Sequence, residues 1–167
     1  VLSRASLARD NDGNLVYPKR LIGTHVDLTE RKQSELQLKI QNIALEAAAN
    51  AIMITNTAAT IEWINPAFTE LTGYRRHEAV GVNVKDLMNS GQQSELFYKD
   101  MWQTISSKKV WKGEIINKKK DGALYHEHMT ITPVTNESDE ICYYIAIKED
   151  ISQRKASEKE ILDLAFY

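Results

Sequence analysis

One nine-residue segment occurs twice, and the distance between its copies decides how the chain is organised. Asp27-Leu28-Thr29-Glu30-Arg31-Lys32-Gln33-Ser34-Glu35 returns, conservatively changed, as Asp150-Ile151-Ser152-Gln153-Arg154-Lys155-Ala156-Ser157-Glu158, about 123 residues later. That interval is the length of a small domain, well beyond the roughly 20–50 residues of a solenoid repeat. Each copy follows an apolar, β-rich run (residues 21–26 and 143–147), and each opens a helical pattern. Thr29 and Ser152 are the expected N-caps, with Asp27 and Asp150 just ahead of them. The chain therefore reads as the end of one module (1–28), a linker helix (29–49), a complete second module (50–150) and a second helix (151–167) leading onward.

With 167 residues and 19.0 kDa there is room for one ordinary domain plus helical extensions. Hydrophobic residues at 43% and charged ones at 26% exclude a disordered or collagen-like chain. A balance of 21 basic against 23 acidic residues gives no global electrostatic case for nucleic acid. The single cysteine, Cys142, excludes a disulfide framework and a multi-thiolate metal site within one chain, and it reads as a buried, inert thiol. No apolar run approaches the roughly 20 residues needed to cross a bilayer. The expectation is a cytoplasmic segment with no membrane contact of its own.

Residues 1–27 read as a two-stranded hairpin turning at Asp10-Asn11-Asp12-Gly13-Asn14, a unit that is marginal alone in water. In the first helix Leu36, Ile40, Ile43 and Ala47 form a short a/d seam. Packing on its own domain and pairing with a second copy explain that seam equally well. The second module opens with strands at 51–55 and 60–64. Asn65 then caps a helix with Pro66 at its first position, stopped by Gly73. Short helical pieces follow near 77–80 and 84–88, then an amphipathic helix at 94–106 with Phe97, Met101 and Ile105 on one stripe. Three strands, 110–118, 123–132 and 140–149, complete it. The order β-β-α-α-α-α-β-β-β predicts an α+β domain, a five-stranded antiparallel sheet with its helices on one face.

Period-two alternation puts Trp111, Gly113, Ile115 and Asn117 on one face of the first of these strands, and Tyr125, Glu127, Met129 and Ile131 on one face of the second. With Lys112, Glu114 and Lys118 on the opposite, wet face, Asn117 and Glu127 point inward. If the turn is Asp121-Gly122-Ala123, the two stand directly opposite each other. A buried amide and carboxylate must be hydrogen-bonded, either to each other or to the polar edge of a planar ligand. On the last strand Tyr144, Ala146 and Lys148 share a face, and the other face is apolar as well, so this strand is expected to be covered on both sides. Ala146 leaves room for something flat. Trp102 lies one residue off the helix stripe, as a packing residue or as pocket lining. His126 and His128 share a face without a third ligand for a metal. No nucleophile–base set, phosphate loop or carboxylate pair is visible, which points to binding or sensing and away from an enzyme.

Several motifs resemble the PAS family of sensor domains: Asn65-Pro66-Ala67-Phe68 followed by Leu71-Thr72-Gly73-Tyr74, then Gly81-Val82-Asn83, Asn117-Lys118-Lys119-Lys120-Asp121-Gly122, and the terminal Asp150-Ile151-Ser152-Gln153-Arg154-Lys155. Within that family Trp102, Val110-Trp111-Lys112-Gly113, residues 116–121, Leu124-Tyr125 and Pro133-Val134 look most like the NifL-type flavin-binding redox sensors. That resemblance implies a non-covalent flavin, FAD in the first place and FMN as the alternative, held between sheet and helices. Asn117 matches the asparagine that bonds the ring edge. Glu127 and Lys148 stand where light-sensing relatives carry asparagine and glutamine. Trp102, Trp111, Tyr125 and Ala146 are expected along the pocket, with Asn83 at its mouth. Val84 replaces the cysteine of light-driven adduct formation, and no histidine lies where haem-binding members have one. Residues 160–167 resemble the linker into a GGDEF diguanylate cyclase domain. The resemblance thus implies a homodimer through the linker helices and a covalently attached output domain. The rival reading is a ligand-free or metabolite-holding domain that serves dimerisation.

Overall fold

The computed structural model describes residues 8–9, 11–16 and 28–166. The expected strand at 21–26, Asp27 and Tyr167 lie outside them. The chain divides into two compact units between Gln37 and Leu38. In the first, strands β1 (Ala8–Arg9) and β2 (Leu15–Val16) pair antiparallel, Ala8 with Val16 and Arg9 with Leu15. Gly13 in the connecting turn has φ +85°, a conformation open to glycine at no steric cost. Helix α1 runs from Leu28 to Glu46, so Thr29 lies within it and is not its cap. Arg31 and Glu35 pair along it at 3.0 Å.

The second unit holds a five-stranded sheet of β3 (Ala51–Asn56), β4 (Ile61–Ile64), β5 (Trp111–Lys118), β6 (Leu124–Thr135) and β7 (Ile141–Asp150). Their spatial order is β4-β3-β7-β6-β5, every neighbouring pair antiparallel. Between β4 and β5 lie α2 (Pro66–Thr72), α3 (Arg76–Ala79), α4 (Val84–Met88) and α5 (Glu95–Ser106), and α6 (Ser152–Ala165) follows β7. This is the expected α+β architecture. The core is apolar and lies between sheet and helices: Met53, Ile61, Ile64, Phe68, Met101, Ile105 and Ile131 are all buried.

Asn65 shows how a local sequence signal becomes a tertiary anchor. Its Oδ1 accepts from Phe68 N at 3.1 Å as the N-cap of α2 and from Ile52 N at 2.8 Å, and its Nδ2 donates to Asn50 O at 3.0 Å and Leu45 O at 3.3 Å. One buried amide thus ties the end of α1, the start of β3 and the first turn of α2 together. Gly73 closes α2 in the left-handed conformation (φ +83°).

Two local expectations are corrected. The β5–β6 register pairs Asn117 with Tyr125 and Ile115 with Glu127, so Asn117 and Glu127 are diagonal neighbours. The cause is the turn. Lys119 N bonds Ala123 O and Gly122 N bonds Lys119 O, with Gly122 at φ +87°, giving a three-residue loop of Lys120, Asp121 and Gly122 that ends in a left-handed glycine. The loop sits one residue earlier than expected, and the register moves by two. At α6 the N-cap position is Ile151, not Ser152, and Asp150 just ahead of it accepts from Ser152 N at 2.9 Å through its Oδ1. Ser152 instead turns its hydroxyl to the sheet and accepts from His126 N at 3.0 Å.

The start of α6 is also held by Ile151, buried at 2% exposure, whose N–H bonds His126 O, and by Arg154 and Lys155, which both pair with Glu114 of β5 at 3.0 and 2.6 Å. The outer face of β7 leaves Tyr143 and Ile147 about two-fifths exposed, so this strand is covered on one face only among the described residues. Edge strand β5 is shielded by the loop before α5. Ser90 donates to Ile116 O, and Gln93, its amide set as its neighbours require, spans Ile116 N and O at 2.7 and 2.9 Å.

Candidate ligand site

A cavity of about 590 Å³ lies between the sheet and helices α4 and α5, within the usual range for small-molecule sites of about 300–1,000 Å³. Four methionines line it, Met53, Met88, Met101 and Met129, and these are all the methionines the chain has. Unbranched thioether side chains pack adaptably around irregular shapes. Tyr98, Trp102 and Tyr144 add aromatic surface, Trp102 and Tyr144 meeting edge to face at 5.9 Å between centroids.

The polar part of the wall is a buried triad. Glu127 is fully buried, Lys148 is 1% exposed and Asn117 5%. Glu127 Oε1 accepts from Lys148 Nζ at 2.6 Å and from Asn117 Nδ2 at 2.8 Å, while Lys148 also reaches Met129 Sδ at 3.3 Å. Lys148 and Asn117 face the cavity and Glu127 stands behind them. Glu127 Oε2 is buried and has no partner, and neither has the Tyr125 hydroxyl on the same face of β6. Burial, and then the neighbouring Glu127 carboxylate, push the Tyr125 hydroxyl well above the ordinary tyrosine range.

Of the residues singled out from the sequence, Asn117, Lys148, Trp102 and Asn83 lie on the cavity wall. Asn83 also caps α4, accepting from Lys85 N at 3.0 Å and donating to Ala58 O at 2.8 Å. Glu127, Tyr125, Trp111 and Ala146 are buried but are not part of the wall. Trp111 is turned away because its ring lies over Gly113, where an added Cβ would come within 2.5 Å of it, and meets Phe97 edge-on at 5.5 Å. Ala146 is too short to reach the cavity; its cross-strand neighbours Met53 and Ile131 form the wall in its place. Asn89 and Gln93, which also line it, carry no sequence signal beyond a polar loop.

His126 and His128 alternate outward on β6, and among the described residues no three His, Cys, Asp or Glu side chains cluster as a metal site. Cys142 is half-buried rather than buried, its thiol donating to Val134 O at 3.2 Å. No helix among the described residues is long and apolar enough to cross a membrane.

The PAS domain family matches residues 49–153, the cavity and its whole sheet included. The chain belongs to the PAS family. It is 37% identical over 117 residues to a nitrogen fixation regulatory protein of Klebsiella oxytoca, a match that covers 70% of this chain and 23% of that protein. The chain thus spans less than a quarter of that relative. Among solved structures, an RNA-binding light-oxygen-voltage receptor superposes with a TM-score of 0.70 at 22% identity, over 90% of this chain and 40% of that one. The PAS domain of a protein from Colwellia psychrerythraea gives a TM-score of 0.63 at 24% identity, over 70% of this chain and 98% of that one. At these identities the structural likenesses speak for the fold alone.

Proposed function

We propose that this PAS domain is a redox-sensing module that binds a flavin, FAD before FMN, in the cavity and relays its state through α6 to an attached output domain. The observation that carries the reading is the pairing of an adaptable apolar cavity of about 590 Å³ with an amide and an ammonium on its inner wall. Apolar and aromatic walls suit a tricyclic ring, and the Asn117 amide offers a donor and an acceptor to a ring edge. Lys148 offers donors only. Trp102 would cover the ring from the helix side, and Asn83 would stand near the entrance. Flavin, when bound, supplies reversible two-electron chemistry.

The chain's own part is to sense which hydrogen bonds the wall retains. Asn117 Nδ2 carries two N–H donors, one of which goes to Glu127 Oε1, so a ligand bonded to the other is joined through the same amide to that carboxylate, whose Oε2 lacks a partner. Glu127 pairs with Asp150 across β6 and β7, and Asp150 Oδ1 holds Ser152 N at the start of α6. A shift of the carboxylate is therefore one strand away from the helix that leads onward. For such a relay, core and helix must share a two-state equilibrium that the ligand biases.

The likeness to a nitrogen fixation regulatory protein supports a regulatory role, and the resemblance of residues 160–167 to a cyclase linker suggests a GGDEF output domain. Homodimerisation through α1 is part of the same reading, since Leu36, Ile40 and Ile43 are all more than half exposed. A domain that dimerises with no flavin is favoured by one observation, that Glu127 Oε1 is already satisfied by Lys148 and Asn117. Asn117→Ala separates the two. It should lower FAD occupancy several-fold, the worth of about one hydrogen bond. Unchanged occupancy refutes the role given to Asn117.

A further inference from the structure

We propose that Lys148 makes this cavity bind the reduced, more electron-rich form of a flavin more tightly than the oxidised form, with Glu127 as the positioning residue that holds the ammonium at the wall. The inference rests on the flavin reading above and adds the sign of the site's redox preference.

A buried ion pair is no better for stability than well-packed apolar residues of the same volume. What this pair adds is an asymmetric charge. Lys148 is on the cavity wall and Glu127 is behind it, so a ligand meets the positive end of the pair at closer range than the negative end. The Nζ position is over-determined, by Glu127 Oε1 at 2.6 Å, by Met129 Sδ at 3.3 Å, and by a strand paired on both sides, Lys148 with Ala51 and with Met129. Asn117 donates to the same carboxylate oxygen and keeps it in place. The other charged residues along the wall, Lys85 and Glu95, are exposed, opposite in sign and screened by solvent. The field inside the cavity is therefore set by Lys148. Reduction adds two electrons and one proton to the ring and leaves one negative charge on it, and a fixed ammonium in a low-dielectric wall favours that state.

The test is a reductive titration of the full chain loaded with FAD, against a dye of known potential. Dithionite gives the two electrons and leaves as sulfite, and solvent gives the proton. Lys148→Met should lose about tenfold in preference for the reduced form, a fall in midpoint potential of about 30 mV for a two-electron couple. Lys148→Met leaves Glu127 without its counter-ion and weakens the fold, so the double variant Glu127→Gln/Lys148→Met is measured beside it. The double variant should regain thermal stability while its potential stays below that of the wild type. Affinity of the apoprotein for oxidised FAD, read by fluorescence quenching, should fall in both variants by a factor about tenfold smaller than the fall for reduced FAD. A wild-type potential in either variant, or a potential that returns with stability, overturns the inference and leaves flavin binding standing. A wild-type chain that takes up no FAD overturns the proposed function, and this inference with it.

Discussion

Replacing Asn65 by alanine tests whether one side chain joins α1 to the domain. Asn65 is 1% exposed, and its amide makes two kinds of contact that alanine cannot. Loss of Oδ1 removes the cap of α2, worth about 1 kcal/mol. It also strands Ile52 N, a buried donor whose bond to Oδ1 is 2.8 Å, at a cost of about 1–3 kcal/mol. Loss of Nδ2 leaves Asn50 O without its 3.0 Å donor, adding about 1 kcal/mol. The expected total is about 3–5 kcal/mol, a large part of the ~5–15 kcal/mol that holds an ordinary domain together. Ser94→Ala is the control, because Ser94 is exposed and its Oγ caps only α5, accepting from Phe97 N at 3.2 Å. It should cost about 1 kcal/mol. Urea unfolding followed by tryptophan fluorescence measures both. If Asn65→Ala costs no more than Ser94→Ala, the amide is an ordinary helix cap, and the account of α1's attachment is wrong.

Three further outcomes are expected. Gly113→Ala pushes a methyl into the Trp111 ring, which cannot retreat because Phe97 packs against it, so stability should fall by about 1–3 kcal/mol in the same urea assay. Lys148→Met alone leaves a buried carboxylate unpaired and should cost about 3–5 kcal/mol, most of it recovered in Glu127→Gln/Lys148→Met, as calorimetry of the three proteins would show. The third concerns pH. Lys155, and then Arg154, hold the Glu114 carboxyl below its ordinary value of 4.5. Its contribution to the α6 anchor is therefore complete above about pH 4.5 and lost as pH falls through the lower folded value. Protection of the amides in the first turn of α6, taken relative to the intrinsic exchange rate at each pH, should fall on acidification in the wild type and depend less on pH in Glu114→Gln.

What could be read from the chain was mostly local. Asn65-Pro66 and Gly73 bracket α2 because caps and stops act within a few residues, and alternation was enough to turn Asn117, Glu127 and Lys148 inward. The register between β5 and β6 was not legible to the residue, because it depends on which position of the Lys120-Asp121-Gly122 loop takes the left-handed conformation. Trp111 belongs to the core and not to the cavity for a reason that lies two residues away: the space over Gly113 accepts its ring. The four methionines were visible singly, on strands and helices far apart in sequence. Only the folded topology brings Met53, Met88, Met101 and Met129 around one cavity. The first copy of the repeated segment retains the Arg31–Glu35 pair that Arg154 and Glu158 form in the second, at 3.0 and 3.7 Å, so the likeness of the copies extends to their side-chain chemistry.

The central claim, that the cavity holds a flavin whose redox state the domain reads, is tested most directly by the visible absorbance spectrum of the freshly purified chain. The account predicts the paired blue and near-ultraviolet bands of a flavin, bleaching with dithionite, returning in air, and forming no light-stable adduct. A colourless protein that stays colourless after incubation with FAD and FMN would contradict it.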